Sequence, residues 1–260
     1  MPDFTHLHTY SHYSLLTALS KIPDLVEEAK KNGMHSLALT DAGNLYGAIE
    51  FYQAAKDAGI KPILGMETWI APQGVTSPET EHLILLAKNN EGYQNLIRLS
   101  SFAQTEGYST SGARVDPDTL REHSAYLFCL SGINHSGVYE ALAHGDYERA
   151  KSCAAAYAEI FGSNFFLEVA PSSLWDNHAT LTKHIQTLAE ELNLPLVVTG
   201  ESRYLSEDEA PSLDILLAIK NKTTIHNPER FSMADADFSF KSPTQMEELG
   251  SDLPHSAFDN

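Results

Sequence analysis

The sequence predicts an α/β fold in which helices cover a mostly parallel sheet. Seven segments with the pattern of strands occur within about 220 residues, and most are followed by an amphipathic segment. No Gly-x-Gly-x-x-Gly phrase follows the first strand, which excludes the usual dinucleotide-binding arrangement. Both a barrel related to the eight-stranded (β/α) barrel and an open doubly wound sheet fit this pattern.

The predicted strands are short apolar runs bounded by turn-forming residues. Pro62 stands at the start of the third strand, where its missing N–H does little harm. The segment Thr105–Pro117, rich in glycine, serine and threonine, is predicted to be a mobile surface loop. In chain order the strands are Phe4–His8, Ser36–Thr40, Pro62–Ile70, His82–Ala87, Ala125–Leu130, Asn164–Val169 and Leu194–Thr199.

The predicted helices show apolar residues at helical spacing and recognisable ends. Gly33 and Gly59 follow two of them as C-caps, and Ser206 with Glu209 resembles a capping box. The helices are Ile22–Asn32, Leu45–Ala58, Glu91–Gln104, Gly137–Ala143, Tyr147–Phe161, Leu174–Leu192, Ser206–Ile219 and a short one near Thr244–Leu249.

Composition restricts the function classes. Lys and Arg total 17 against 35 Asp and Glu, a net charge of −18, so the surface repels phosphate and is a poor non-specific nucleic-acid binder. No apolar run approaches the roughly 20 residues that cross a bilayer. The two cysteines, Cys129 and Cys153, form no CxxC, which favours a reducing cytoplasm.

Polar side chains follow several strands at the edge where parallel β/α folds carry their chemistry. They are His8 and Tyr10, Asp41 and Ala42, Glu67, Ser131–Ile133, Glu168, and Glu201 with Arg203. Histidine, aspartate and glutamate converging from several strands suggest a metal site.

Other roles are open for each of these residues. His6 and His8 share one face of an ideal strand, a spacing that can chelate a metal, although an isolated His-x-His is weak evidence. A buried Glu67 needs a partner or a metal, and Arg203 would serve as well as a cation. Asp41 could simply form the turn into Gly43.

Several longer phrases occur in a characteristic order. They are His6-Leu7-His8-Thr9-Tyr10-Ser11, Leu39-Thr40-Asp41-Ala42-Gly43-Asn44, Gly59-Ile60-Lys61-Pro62-Ile63-Leu64-Gly65-Met66-Glu67, His82-Leu83-Ile84-Leu85-Leu86-Ala87-Lys88, Leu130-Ser131-Gly132 and Glu207-Asp208-Glu209. From Phe4 onward the chain resembles the polymerase-and-histidinol-phosphatase (PHP) domain found at the N-terminus of bacterial replicative DNA polymerase III alpha subunits. The resemblance implies a distorted seven-stranded (β/α)7 barrel, related to the TIM barrel. It also implies a site for up to three metal ions that supports phosphoester hydrolysis, in some polymerases as a 3′–5′ exonuclease.

The metal ligands of the family are carried over to this chain one position at a time. His8, Glu67 and His82 match family ligands, and Glu201 is a conservative change. The other positions are replaced, by Tyr10, Thr17, Ala42, Ile133 and Arg203. We therefore expect a degraded, vestigial metal site with no catalytic residue. Arg203 carries a permanent charge and is expected to pair with Glu67 or Glu201 in place of a metal.

Two main functions follow from the resemblance. The first is a non-catalytic module that contacts the polymerase core and the proofreading exonuclease subunit and holds no cofactor, so that the isolated domain has no activity. The alternative is a metal-dependent phosphoesterase or 3′–5′ proofreading exonuclease in which His8, Glu67, His82 and Glu201 hold one Zn, Mn or Fe ion. A metal-free barrel with an unrelated binding function is a third possibility.

The resemblance also sets the expected organisation and partners. Residues 1–220 would be the barrel, and 221–260 an extension leading toward a polymerase core that this chain lacks. DNA synthesis and its Mg²⁺ ions would belong to the full-length subunit, because no palm domain fits beside the barrel. DNA would be contacted only through the larger assembly, which is expected to be cytoplasmic and without a membrane partner.

Overall fold

A computed structural model describes residues 4–110, 112–133, 135–171, 178–234 and 236–260. It confirms the α/β fold and contains a curled six-stranded sheet in the order β1-β2-β3-β6-β7-β8. These strands are β1 (Ser36–Leu39), β2 (Lys61–Ile70), β3 (Glu81–Ala87), β6 (Leu127–Leu130), β7 (Phe165–Val169) and β8 (Leu196–Val198). The helices are α1 (Ile22–Lys31), α2 (Ala48–Ala58), α3 (Asn90–Gln104), α4 (Pro117–Glu122), α5 (Gly137–Ala143), α6 (Tyr147–Phe161), α7 (His178–Leu192), α8 (Ala210–Lys220), α9 (Pro243–Leu249) and α10 (Ser256–Asp259).

The seven-stranded barrel is not confirmed, because the predicted first strand Phe4–His8 forms no regular ladder. The amides of Ala38 and Thr40 donate to the carbonyls of His6 and Thr9. The two donors are two positions apart in the sequence, whereas the two acceptors are three positions apart, so the N-terminal segment has one extra residue between these bonds. Such an extra residue breaks a ladder as a β-bulge does. On the other side, Tyr10 and Ser202 connect the segment to the chain after β8. The segment thus lies between the two edges of the sheet without forming a strand.

The sheet is less parallel than predicted. β3 is antiparallel to both β2 and β6, whereas the β1–β2, β6–β7 and β7–β8 pairs are parallel. Strand direction cannot be read from an apolar run, because the side-chain period is the same in both directions. The segment Thr105–Pro117, predicted to be a surface loop, contains two short paired strands, β4 (Tyr108–Ser109) and β5 (Gly112–Ala113). They are followed by the buried Val115, which pairs with β2.

The core has an inner and an outer part. One cluster, lining the inside of the curled sheet, takes residues from all six strands and includes Leu7. Two other clusters join the outer faces of the strands to the surrounding helices. The helices α5 and α6 begin and end at the predicted residues. The helix α7 ends at the predicted Leu192 and is described from His178 onward, because positions 174–177 of the prediction lie outside the described residues. The capping box of Ser206 and Glu209 is present and leads through one 3₁₀ turn into α8.

Residues after 220 pack against the rest of the fold. Phe238, Met246 and Leu253 belong to the larger outer cluster, and Phe240 to the smaller one. Lys241 is buried, and its ammonium contacts Asp237 and donates to Ser239 Oγ at 2.6 Å. The division at residue 220 stays a prediction. No helix in the described part of the chain combines the length and the apolar character that a bilayer span requires.

His6 packs against this C-terminal segment. Its ring lies 4.4 Å from that of Phe240, and its Nε2 is 2.8 Å from the Lys241 carbonyl oxygen. Burial lowers the pKa of His6 to about 4, with a smaller contribution from the charge of Lys241, while the backbone bond opposes the shift.

The buried His6 predicts a loss of stability in mild acid. The unfolded chain takes up this proton near pH 6.5 and the folded protein only near pH 4, so the free energy of unfolding decreases as the pH falls between these values. The contribution is about 3 kcal/mol, which urea denaturation at a series of pH values would measure. His6→Gln should flatten this part of the profile and the exposed His144→Gln should not. Equal slopes in all three proteins would contradict the assignment.

Candidate functional site

A cavity of about 1010 Å³ opens at the end of the sheet where β1, β2 and the strands β6–β8 finish. Eight of the nine positions nominated from the sequence line it: His8, Thr17, Ala42, Glu67, His82, Ile133, Glu201 and Arg203. The ninth, Tyr10, is fully buried and contacts two of them. The structure therefore brings the nominated residues together.

Glu67 and His82 form one pair in this cavity. Glu67 lies late in β2, whereas His82 lies at the start of β3. Because β3 runs antiparallel to β2, its first residues lie beside the last residues of β2, and His82 Nδ1 is 2.9 Å from Glu67 Oε1. Burial alone would raise the pKa of Glu67, but the neighbouring His82, His8 and Arg203 together lower it to about 2. The carboxyl group is thus held ionised.

His8 is engaged through both ring nitrogens. Nδ1 lies 2.7 Å from Glu168 Oε1, and Nε2 lies 2.7 Å from the Tyr10 hydroxyl. Burial alone would lower the pKa of His8, but the carboxylates of Glu168, Glu201 and Glu67 together raise it. Neither nitrogen is left for another ligand in this arrangement.

Glu168 organises the base of the site from the end of β7. It is fully buried, and its Oε1 also accepts a hydrogen bond from Thr199 Oγ1. Its backbone amide donates to Ser131 Oγ at 3.0 Å. The sequence placed Glu168 at a strand end among the residues that suggest a metal site, but it did not indicate the bond to His8, which is 160 residues away. Thr199 was missed altogether and carries no signal of its own.

Arg203 lies inside the cavity rather than in solvent. Its Nε and Nη2 donate to Glu201 Oε1 at 3.0 and 2.5 Å, and its Nη1 donates to the Thr17 carbonyl at 3.0 Å. The guanidinium also lies 4.2 Å from the centre of the Tyr10 ring. Glu201 adopts a φ of 48°, in the left-handed region that non-glycine residues rarely occupy. Of the two expected partners, Glu201 is the one that bonds Arg203.

The remaining replaced positions contribute no side-chain ligand. Ile133 is buried and apolar, and Ala42 has only a methyl group. The Thr17 hydroxyl donates to the Ser14 carbonyl at 3.0 Å.

Asp41 and His6 have structural partners. The Asp41 carboxylate accepts three hydrogen bonds, from the Ser11 amide, the Ser11 hydroxyl and the Ser14 hydroxyl. It therefore anchors the loop after the first segment. His6 and His8, which the sequence pattern placed on one face, have no partner in common.

The donor atoms do not fit the three-metal site that the resemblance implies. Within the described ranges, no group of three or more His, Cys, Asp and Glu side chains is arranged to hold a metal ion. His8 is bonded at both nitrogens, Glu67 pairs with His82, and Glu201 pairs with a guanidinium. What the arrangement provides is a network of paired polar groups that connects β2, β3, β7 and the segments on either side of them.

Comparison with known proteins gives a family and a set of relatives. The PHP domain model matches residues 6–172. The chain is 36% identical to DNA polymerase III subunit alpha of Borreliella burgdorferi over 258 residues, and 37% identical to that of Treponema pallidum over 261 residues. These alignments cover 96% and 97% of this chain but 22% of each relative, so the chain spans about a fifth of their length.

The solved structures to which the chain is similar include one of lower identity. It is an inferred metal-dependent phosphoesterase from Bifidobacterium adolescentis, 12% identical, covering 97% of this chain and 98% of the other, with a TM-score of 0.45. This likeness is too low to support a functional comparison.

Proposed function

The chain belongs to the PHP domain family, and from this membership we propose that it is a non-catalytic PHP domain of a bacterial DNA polymerase III alpha subunit. In this role it stabilises and docks the polymerase core and the proofreading exonuclease subunit. DNA-templated synthesis, with its Mg²⁺ ions, belongs to the rest of the subunit. The chain is 36% identical to an alpha subunit over 96% of its own length, which supports this placement.

The contact of Arg203 with Glu201 carries the proposal that the site is non-catalytic. Metal-assisted phosphoester hydrolysis needs cations that activate water and neutralise phosphate oxygens. Here a guanidinium occupies the cavity and bonds the carboxylate, and Tyr10 bonds the histidine that would otherwise be a ligand. A guanidinium is always protonated and supplies no open coordination position. The site is thus suited to holding the barrel mouth together and not to turnover.

The charge of the chain supports protein partners. A net charge of −18 disfavours direct contact with DNA, so we assign DNA binding to the assembled polymerase. We likewise propose a cytoplasmic location and that residues 221–260 continue toward the polymerase core.

Metal content tests the proposal directly. In protein purified without chelator, we expect less than about a tenth of an equivalent of zinc, manganese or iron by elemental mass spectrometry, because the donor atoms already bond one another. This result would exclude a multinuclear phosphoesterase, which cannot work empty. Glu67→Ala should leave that value unchanged. One or more equivalents, lost in Glu67→Ala, would favour the metal-dependent phosphoesterase or exonuclease instead, and a nuclease assay on a single-stranded 3′ end would follow.

A further inference from the structure

The mouth of the cavity is rimmed by exposed apolar side chains. Leu15, Tyr46, Tyr108 and Phe231 all line the cavity, and their exposed fractions are 71%, 66%, 65% and 53%. They come from four separate parts of the chain, so no single local segment explains their exposure. Large apolar side chains gathered around a concave surface indicate a binding site.

A lysine without a direct partner lies within this rim. Lys220, the last residue of α8, lines the cavity, and its ammonium forms no hydrogen bond or ion pair with any residue in the described ranges. Burial and the neighbouring Arg203 lower the pKa of Lys220, and Glu67 opposes this shift.

The three carboxylates that line the cavity within the described part of the chain are already engaged. Glu67 contacts His82, Glu201 contacts Arg203, and Glu140 lies 3.3 Å from His135. An added anion would therefore find in Lys220 a donor for which no carboxylate of the cavity competes at contact distance.

We propose that the cavity mouth binds a peptide segment of a partner protein, with a carboxylate placed beside Lys220 and Arg203 and apolar side chains on the rim. This inference rests on the proposed function, because it requires that Arg203 and not a metal occupy the cavity. The carboxylate of the peptide would form an ion pair with the Lys220 ammonium. Burial of the rim would supply the apolar part of the binding energy.

Charge distinguishes a peptide from other occupants. A polynucleotide would bring many phosphates against a chain with 35 acidic and 17 basic residues, and among the described residues Arg114, Arg203 and Lys220 are the lysines and arginines that line the cavity. A second copy of the chain carries the same net charge of −18 and is repelled. A peptide can bring a single carboxylate with its apolar neighbours.

Selection from a random twelve-residue peptide library displayed on phage tests this inference. We expect enriched peptides to combine Asp or Glu with Leu, Phe, Tyr or Trp, and Lys220→Gln to weaken their binding about tenfold. Phe231→Ala should weaken it as well. Lys56→Gln, an equal change of charge on the exposed side of α2, and Ile97→Ala, an exposed apolar residue outside the cavity, are the matched controls.

The outcomes separate this inference from the proposed function. Enrichment that is absent, or that is equal for wild type and Lys220→Gln, would overturn the peptide site. Binding of a fluorescent single-stranded oligonucleotide that depends on Lys220 would overturn it in favour of nucleic acid. Metal content is measured on the same preparation: a metal-free protein without Lys220-dependent peptides contradicts only this inference, whereas a stoichiometric metal contradicts the proposed function.

Discussion

Replacing Arg203 by alanine is expected to lower the free energy of unfolding by about 3–5 kcal/mol, the usual result of removing one partner of a buried ion pair. The side chains of Arg203 and Glu201 are only 12% and 3% exposed. Without the guanidinium, the Glu201 carboxylate stays buried with its main cation gone, and the Thr17 carbonyl and the Tyr10 ring lose their contact. Urea denaturation at neutral pH would measure the loss.

Two controls separate this effect from a general effect of charge. Arg121→Ala removes an arginine from the exposed pair with Asp118, and we expect a loss below about 1 kcal/mol. The double variant Arg203→Met with Glu201→Gln removes both charges and should regain much of the stability, since no buried charge is left alone. A loss in Arg203→Ala no larger than that in Arg121→Ala would show that Arg203 does not stabilise the mouth of the cavity.

Replacing Glu168 by alanine is expected to cost about 3 kcal/mol or more of unfolding free energy. The change removes the acceptor of both His8 Nδ1 and Thr199 Oγ1 in a fully buried place. Unsatisfied buried groups cost about 1–3 kcal/mol each, and the small side chain also leaves a cavity. Thermal and urea unfolding, monitored by circular dichroism, would measure the change.

Related variants show which contacts carry this loss. Tyr10→Phe removes only the hydroxyl that contacts His8 Nε2, and should cost about 1 kcal/mol. Glu190→Ala, at an exposed position of α7, should change stability by less than about 0.5 kcal/mol. If Glu168→Ala behaved like Glu190→Ala, the buried network would not contribute to stability.

The sequence predicted the helices better than the sheet. Helices α5 and α6 match at both ends, because apolar spacing and caps are local signals. The predicted strand Phe4–His8 failed because a bulge depends on the register against β1, which local patterning does not contain. The direction of β3 could not be predicted from local patterning either. This antiparallel direction explains why His82, at the start of β3, reaches Glu67, late in β2.

Residue types alone determined what this site lacks. Ala42 and Ile133 have no donor atom, and Arg203 has a permanent charge, whatever the fold. Only the tertiary structure decided which partners the remaining groups take: Glu201 and not Glu67 for Arg203, and both Glu168 and Tyr10 for His8. The reason is physical. A residue's chemistry belongs to its own atoms, whereas a hydrogen bond needs a second group within about 3 Å, and only the curl of the sheet brings residue 168 to residue 8.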